Sequence, residues 1–156
     1  MAGRLQAEIK QTRPFQALEQ EAFLNLLRTA DALMQAVAAT LKSFGLSGTQ
    51  YNALRILRGA GPAGLACREI AGRMLTHDPD ITRLLDRLEA RRLVTRSRDR
   101  KDRRVITIRI TEAGLEMVNN LDAPVTESHR RLLGHLGSTK LRTLISLLEA
   151  ARARIP

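Results

Sequence analysis

The residues of this 156-residue chain that could do chemistry are one cysteine, three histidines, scattered carboxylates and a dense run of cations. Cys67 stands alone, so no intrachain disulfide and no thiolate-rich metal centre can form, and a reducing compartment is expected. His129 and His135 are six apart and do not share a helical face, and His77 is remote in sequence, so no metal site is expected. Glu69, Glu89, Glu112 and Glu116 fall on helical patterns without evident pairing. There is no glycine-rich phosphate loop and no nucleophile elbow, so neither catalysis nor a cofactor is expected. The cations remain. Arg91, Arg92, Arg96, Arg98, Arg100, Lys101, Arg103, Arg104 and Arg109 face only Asp99 and Asp102, a net of +7 out of the formal +10. Charge packed this tightly repels itself unless a polyanion relieves it, and nucleic acid is the leading candidate; a solvated basic surface is the plainer alternative.

The elements that must carry this run can be read from periodicity. Ile81, Leu84, Leu85 and Leu88 occupy i, i+3, i+4 and i+7 of one helix face, leaving Thr82, Arg83, Asp86 and Arg87 on the other. Asp78 or Thr76 is the expected cap and Pro79 the first helical residue, with the helix ending near Arg92. A short helix over Cys67–Met74 precedes it, lacking a good N-cap. Two helices joined by a short turn, the second exposing Arg and Thr, make a helix-turn-helix whose second helix enters a major groove. The recognition-helix candidates are His77, Asp80, Thr82, Arg83 and Arg87. Arg83 suits a guanine edge, or else an ion pair with Asp80 or Asp86. His77 suits a phosphate contact or a solvated turn.

Leu93–Ser97 and Val105–Ile110 read as two strands, with Ile106, Ile108 and Ile110 alternating with polar or smaller neighbours. The connection between them cannot be core. It is expected to be a wing that lies along the DNA backbone, with Arg98, Arg100, Lys101, Asp102, Arg103 and Arg104 as its contact candidates. With three Phe, one Tyr and no Trp, single-strand binding on aromatic platforms is disfavoured, and the expected ligand is double-stranded DNA.

The flanks are helical. Residues 1–14 are expected to be a flexible tail, and from Phe15 a long helix keeps Leu18, Ala22, Leu26, Ala30, Leu33, Met34, Val37 and Leu41 on one face. A second set, Phe23, Leu27 and Ala38, widens the apolar surface, which meets either another subunit or a larger intrachain core. Gly45 ends that helix, and Ser47 with Gln50 forms a capping box while Leu46 and Tyr51 staple the next one. Thr111 caps a later helix through Leu115, Val118, Leu121 and Val125 to Leu136, which Pro124 should kink or split. Gly137–Ser138 restarts a last helix with Leu141, Leu144, Ile145 and Leu148 inward. The expected fold is therefore mainly α with a small β-hairpin: a winged helix-turn-helix over 46–110, flanked by dimerisation helices over 15–45 and 111–156. No window approaches the ~20 apolar residues of a membrane helix, and no signal-type run opens the chain, so a cytoplasmic protein without a membrane partner is expected.

The runs DPDITRLLDRLEARRLV (Asp78–Val94) and DRKDRRVITIRITEAG (Asp99–Gly114) resemble the MarR family of bacterial transcriptional regulators. The resemblance implies a homodimer on a pseudo-palindromic operator, acting as a repressor, with Thr82 and Arg83 reading the major groove and Asp102 orienting Arg104 in the minor groove. It also implies a small aromatic or phenolic effector between the dimerisation helices and the DNA-binding lobe, for which Phe23, Leu27, Tyr51 and Arg55 are the candidate lining; an ordinary packed core is the plainer alternative for these four. Some relatives sense oxidants through a cysteine on the first helix; that helix has none here, so Cys67 is expected to be structural. The family usually has Gly where Arg92 stands, which leaves the helix–wing junction open. The rival readings are an architectural binder without sequence preference and a winged-helix module that binds protein.

Overall fold

The computed structural model describes residues 4–77, 80–98 and 105–155. The chain divides into two compact units, one up to Ala36 and one from Val37 on.

The first unit holds a short helix, α1 (Arg4–Glu8), and the first part of a long helix, α2 (Leu18–Lys42). The stretch 1–14, expected as a flexible tail, thus contains a helical turn. Leu5 is buried, and Glu8 pairs with Arg28 of α2 at 3.1 Å. A left-handed Lys10 closes α1. The long helix starts at Leu18 rather than Phe15.

The second unit is built on α3 (Gly48–Ala60), α4 (Cys67–Arg73), α5 (Ile81–Ala90), α6 (Glu112–Leu133) and α7 (Gly137–Arg152), with strands β1 (Leu65–Ala66), β2 (Val94–Arg98) and β3 (Ile106–Ile110). The α3 start is the expected one. Gln50 N–H donates to Ser47 Oγ at 3.1 Å, Ser47 N–H donates to Gln50 Oε1 at 3.0 Å, and both Leu46 and Tyr51 are buried. The α4 start lacks a side-chain cap, and Glu69 answers this by accepting from Ala66 N–H at 2.9 Å. Leu41 at the end of α2 joins Leu54 and Leu57 of α3, Ile70 of α4, Leu85 and Leu88 of α5, Ile108 of β3, and Val118 and Leu121 of α6 in one core.

The sheet is antiparallel in the order β1-β3-β2. Val94 pairs with Ile110 and Arg98 with Ile106, so the two expected strands form the expected hairpin. The two-residue β1, which periodicity cannot reveal, adds Leu65 opposite Ile108. Gly64 is required beside it: its φ is +69°, and a Cβ there would lie 2.3 Å from the Ile108 carbonyl oxygen.

Pro124 does not split α6, which runs unbroken from Glu112 to Leu133. Val118, Leu121, Val125 and Ser128 are buried on both sides of the proline, so tertiary packing holds the helix where one backbone hydrogen bond is lost. Arg58 of α3 grips the preceding turn, donating to Asn119 Oδ1 at 2.9 Å and to both Asp122 oxygens at 2.7 and 3.1 Å. In α7 no residue is buried, and Ile145 is exposed rather than inward.

Candidate nucleic-acid interface

The recognition-helix candidate α5 is oriented by its apolar stripe. Leu84, Leu85 and Leu88 are buried, which turns Thr82, Arg83, Asp86 and Arg87 to the exterior. Its cap is Asp80, whose Oδ1 accepts from Arg83 N–H at 3.2 Å, and not the earlier Thr76. Asp78 and Pro79 lie outside the described residues. Asp80 also pairs through Oδ2 with Arg83 Nε at 3.3 Å, both side chains more than half exposed. The ion pair weighed against base reading for Arg83 is therefore formed in the free protein. Asp80, one of the recognition-helix candidates, thus also caps the start of that helix. His77 is exposed beside it. Ser47, Thr49, Gln50, Asp80, Arg83, Leu84 and Arg87 line a polar cleft of about 190 Å³ between the starts of α3 and α5.

The basic run does not act as one patch. Arg96 of β2 places Nη1 2.5 Å from Asp86 Oδ1 and 3.3 Å from Glu89 Oε2, tying the hairpin to α5. Arg109 donates to the Pro62 carbonyl at 3.0 Å and to the Ser97 hydroxyl. Arg91 donates to the carbonyls of Gly45 and Phe44 at 2.6 and 3.1 Å. Arg92 itself takes the left-handed conformation, φ 58°, that the resemblance assigns to glycine. Its N–H donates to Glu89 O at 2.8 Å, and Leu93 N–H donates to Leu88 O at 3.0 Å, which is a Schellman end with Leu88 and Leu93 both buried. Thr111 locks the junction, its hydroxyl donating to Arg92 O at 2.7 Å and its N–H to Leu93 O at 3.0 Å. Four cations that charge counting assigns to DNA are thus occupied inside the chain or shape its backbone. Asp86 and Glu89, on the same helix as the candidate readers, were the signal for Arg96. Nothing in sequence marks the carbonyl partners of Arg91 and Arg109.

Arg98 is exposed at the end of β2. Arg100, Lys101, Asp102, Arg103 and Arg104, the remaining wing candidates, lie outside the described residues.

The four candidate effector residues fall in different units. Phe23 and Leu27, one turn apart on α2, are 60% and 53% exposed. Tyr51 is a buried core residue with the Arg55 guanidinium 5.9 Å from its ring centroid. Burial pushes the Tyr51 phenol up, opposed by Arg55. Cys67 is half-buried against the core, as a structural cysteine would be. Among the described residues no cluster of His, Cys, Asp or Glu could hold a metal, and no helix is long and apolar enough to cross a membrane.

Comparison with known proteins agrees with this geometry. The MarR family profile matches residues 44–105. A MarR transcription factor from Planctomyces limnophilus is 45% identical, with 87% of this chain and 98% of that chain covered and a TM-score of 0.68. CouR from Rhodococcus jostii RHA1, crystallised with p-coumaroyl-CoA, is 29% identical over 91% of this chain and 99% of that one, TM-score 0.73. The homoprotocatechuate degradative operon repressor of Escherichia coli is 27% identical over 80% of this chain and 82% of its own.

Proposed function

The chain belongs to the MarR family of DNA-binding transcriptional regulators, and from that premise we propose that it is a homodimeric repressor on a pseudo-palindromic operator, released by a small aromatic ligand. The observation that carries the DNA side is the two-faced α5: three buried leucines anchor it while Thr82, Arg83 and Arg87 project together. In this reading Thr82 and Arg83 reach base edges, Arg87 and His77 touch phosphate, and the wing from Arg98 to Arg104 follows the backbone with Arg104, steadied by Asp102, in the minor groove.

The dimer reading is supported by apolar side chains left exposed on one chain. Leu18, Phe23, Leu26, Leu27 and Met34 of α2 and Ile145 and Leu147 of α7 are each more than 40% exposed. Exposed apolar side chains recurring along a helix are a surface that a second subunit would cover. The effector reading, with Phe23, Leu27, Tyr51 and Arg55 as its lining, draws on the phenolic compounds in the names of two relatives, p-coumaroyl-CoA and homoprotocatechuate. Regulation in the cytoplasm without catalysis completes the proposal.

Selection of duplexes from a random library, followed by footprinting, tests it. An inverted repeat protected as one site is expected. Smooth protection without sequence preference would overturn the reading in favour of an architectural protein.

A further inference from the structure

The ends of α2 and α5 are built alike. At the end of α2, Leu46 N–H donates to Leu41 O at 3.3 Å and Gly45 N–H to Lys42 O at 3.0 Å, a Schellman end with Gly45 left-handed at φ 67°. Leu41 and Leu46 are buried beside it. At the end of α5 the same two bonds are made by Leu93 and by left-handed Arg92. A helix C-terminus carries partial negative charge, which a cation beside it relieves. Arg91, the C-cap residue of α5, supplies that cation to the end of α2. Its Nη1 and Nη2 donate to Gly45 O and Phe44 O, carbonyls that the Schellman geometry of α2 leaves over.

We infer that Arg91 is a positioning residue for operator binding: it fixes the recognition helix to the end of α2 without touching DNA. The inference rests on the DNA-binding reading above. Ten residues of α5 span roughly 15 Å, so a tilt of about 5° at the Arg91 end shifts the Asp80–Arg83 end by about 1 Å, enough to spoil a bidentate base contact. The guanidinium fork suits this work because its planar, pre-organised donors meet two carbonyls at once, whereas a lysine ammonium is a rotatable point charge without that fixed geometry.

The test uses the full chain and a duplex selected by the wild-type protein from a random library. Arg91→Ala, with its thermal transition monitored, should bind that duplex roughly 2- to 30-fold more weakly. Its slope of log affinity against log salt should match the wild type, because no phosphate contact is removed. Arg91→Lys, which keeps the charge but not the planar fork, should fall between the two and serves as the deciding variant if Arg91→Ala does not fold cooperatively. Wild-type affinity in a folded variant overturns the inference. So does weaker binding with a slope lowered by about one, which marks a phosphate contact. A wild-type protein that selects no duplex overturns the DNA-binding reading itself.

Discussion

Arg96 of β2 and Asp86 of α5 form a 2.5 Å ion pair that joins the hairpin to the helix proposed to read DNA, and Glu89 one turn on adds a second carboxylate at 3.3 Å. The Arg96 side chain is only 26% exposed, so it serves as a strut between two elements. Its Nη2 also reaches the Thr82 carbonyl at 3.4 Å, next to the proposed base-reading residues. Strand β2 and helix α5 are therefore tied at one electrostatic point.

Arg96→Ala should lower stability by about 1 kcal/mol, a modest figure because both acids are substantially exposed to solvent screening. Urea denaturation checks it. The salt slope of DNA binding should change by less than one, since Arg96 is already neutralised within the chain; unchanged stability with a slope lowered by one would instead make it a phosphate contact.

Arg92→Gly should raise stability by up to about 1 kcal/mol, because relief of the left-handed strain at φ 58°, roughly 1–2 kcal/mol, outweighs the added freedom of glycine in the unfolded chain, about 0.4–1 kcal/mol. A thermal melt reads the outcome. A lower transition would mean that the Arg92 side chain contributes more than its conformation costs.

What sequence alone could show of this fold divides along physical lines. The α5 stripe, the Ser47–Gln50 box and the alternation of β3 are local patterns, and each element appears within a few residues of its expected bounds. Pro124 misleads because its local cost is outweighed by Val118, Leu121 and Val125 packing on either side, a non-local effect. Arg91, Arg96 and Arg109 look like free charge in sequence because their partners lie 7 to 47 residues away. Charge density predicts a polyanion partner, yet it cannot say which cations the fold has already used. Asp80 carries a related lesson at short range: a carboxylate among the recognition-helix candidates also caps the start of that helix.

Stability in acid should depend on Asp122, whose hydrogen bonds from Arg58 hold its carboxyl below the ordinary carboxylate value. With the folded value depressed, the contribution is fully present above the unfolded value near pH 3.9 and is lost as pH falls through the lower, folded one. Asp122 is about half exposed, so the effect is below about 1 kcal/mol. Asp122→Asn should flatten the acid limb of the stability profile below about pH 4, measured by denaturation across pH. An acid limb unchanged by the substitution would assign it to other carboxylates.

Arg83 and Asp80 are joined in the free protein, and the two residues should separate cleanly by experiment. Their i, i+3 pair is exposed on both sides and contributes at most about 0.5 kcal/mol, so Arg83→Ala should leave the thermal transition nearly unmoved. The same substitution should weaken binding to the selected operator by about 1–3 kcal/mol and relax preference at one base pair, because it removes the guanidinium proposed to meet a guanine edge. Asp80→Ala should do the reverse in folding terms: loss of the cap on Arg83 N–H costs about 0.5–2 kcal/mol of stability. Competition binding against operators substituted one base pair at a time, alongside melts of both variants, reads the two effects apart. Retained preference at every base pair in Arg83→Ala would move base reading from this residue to another position on α5.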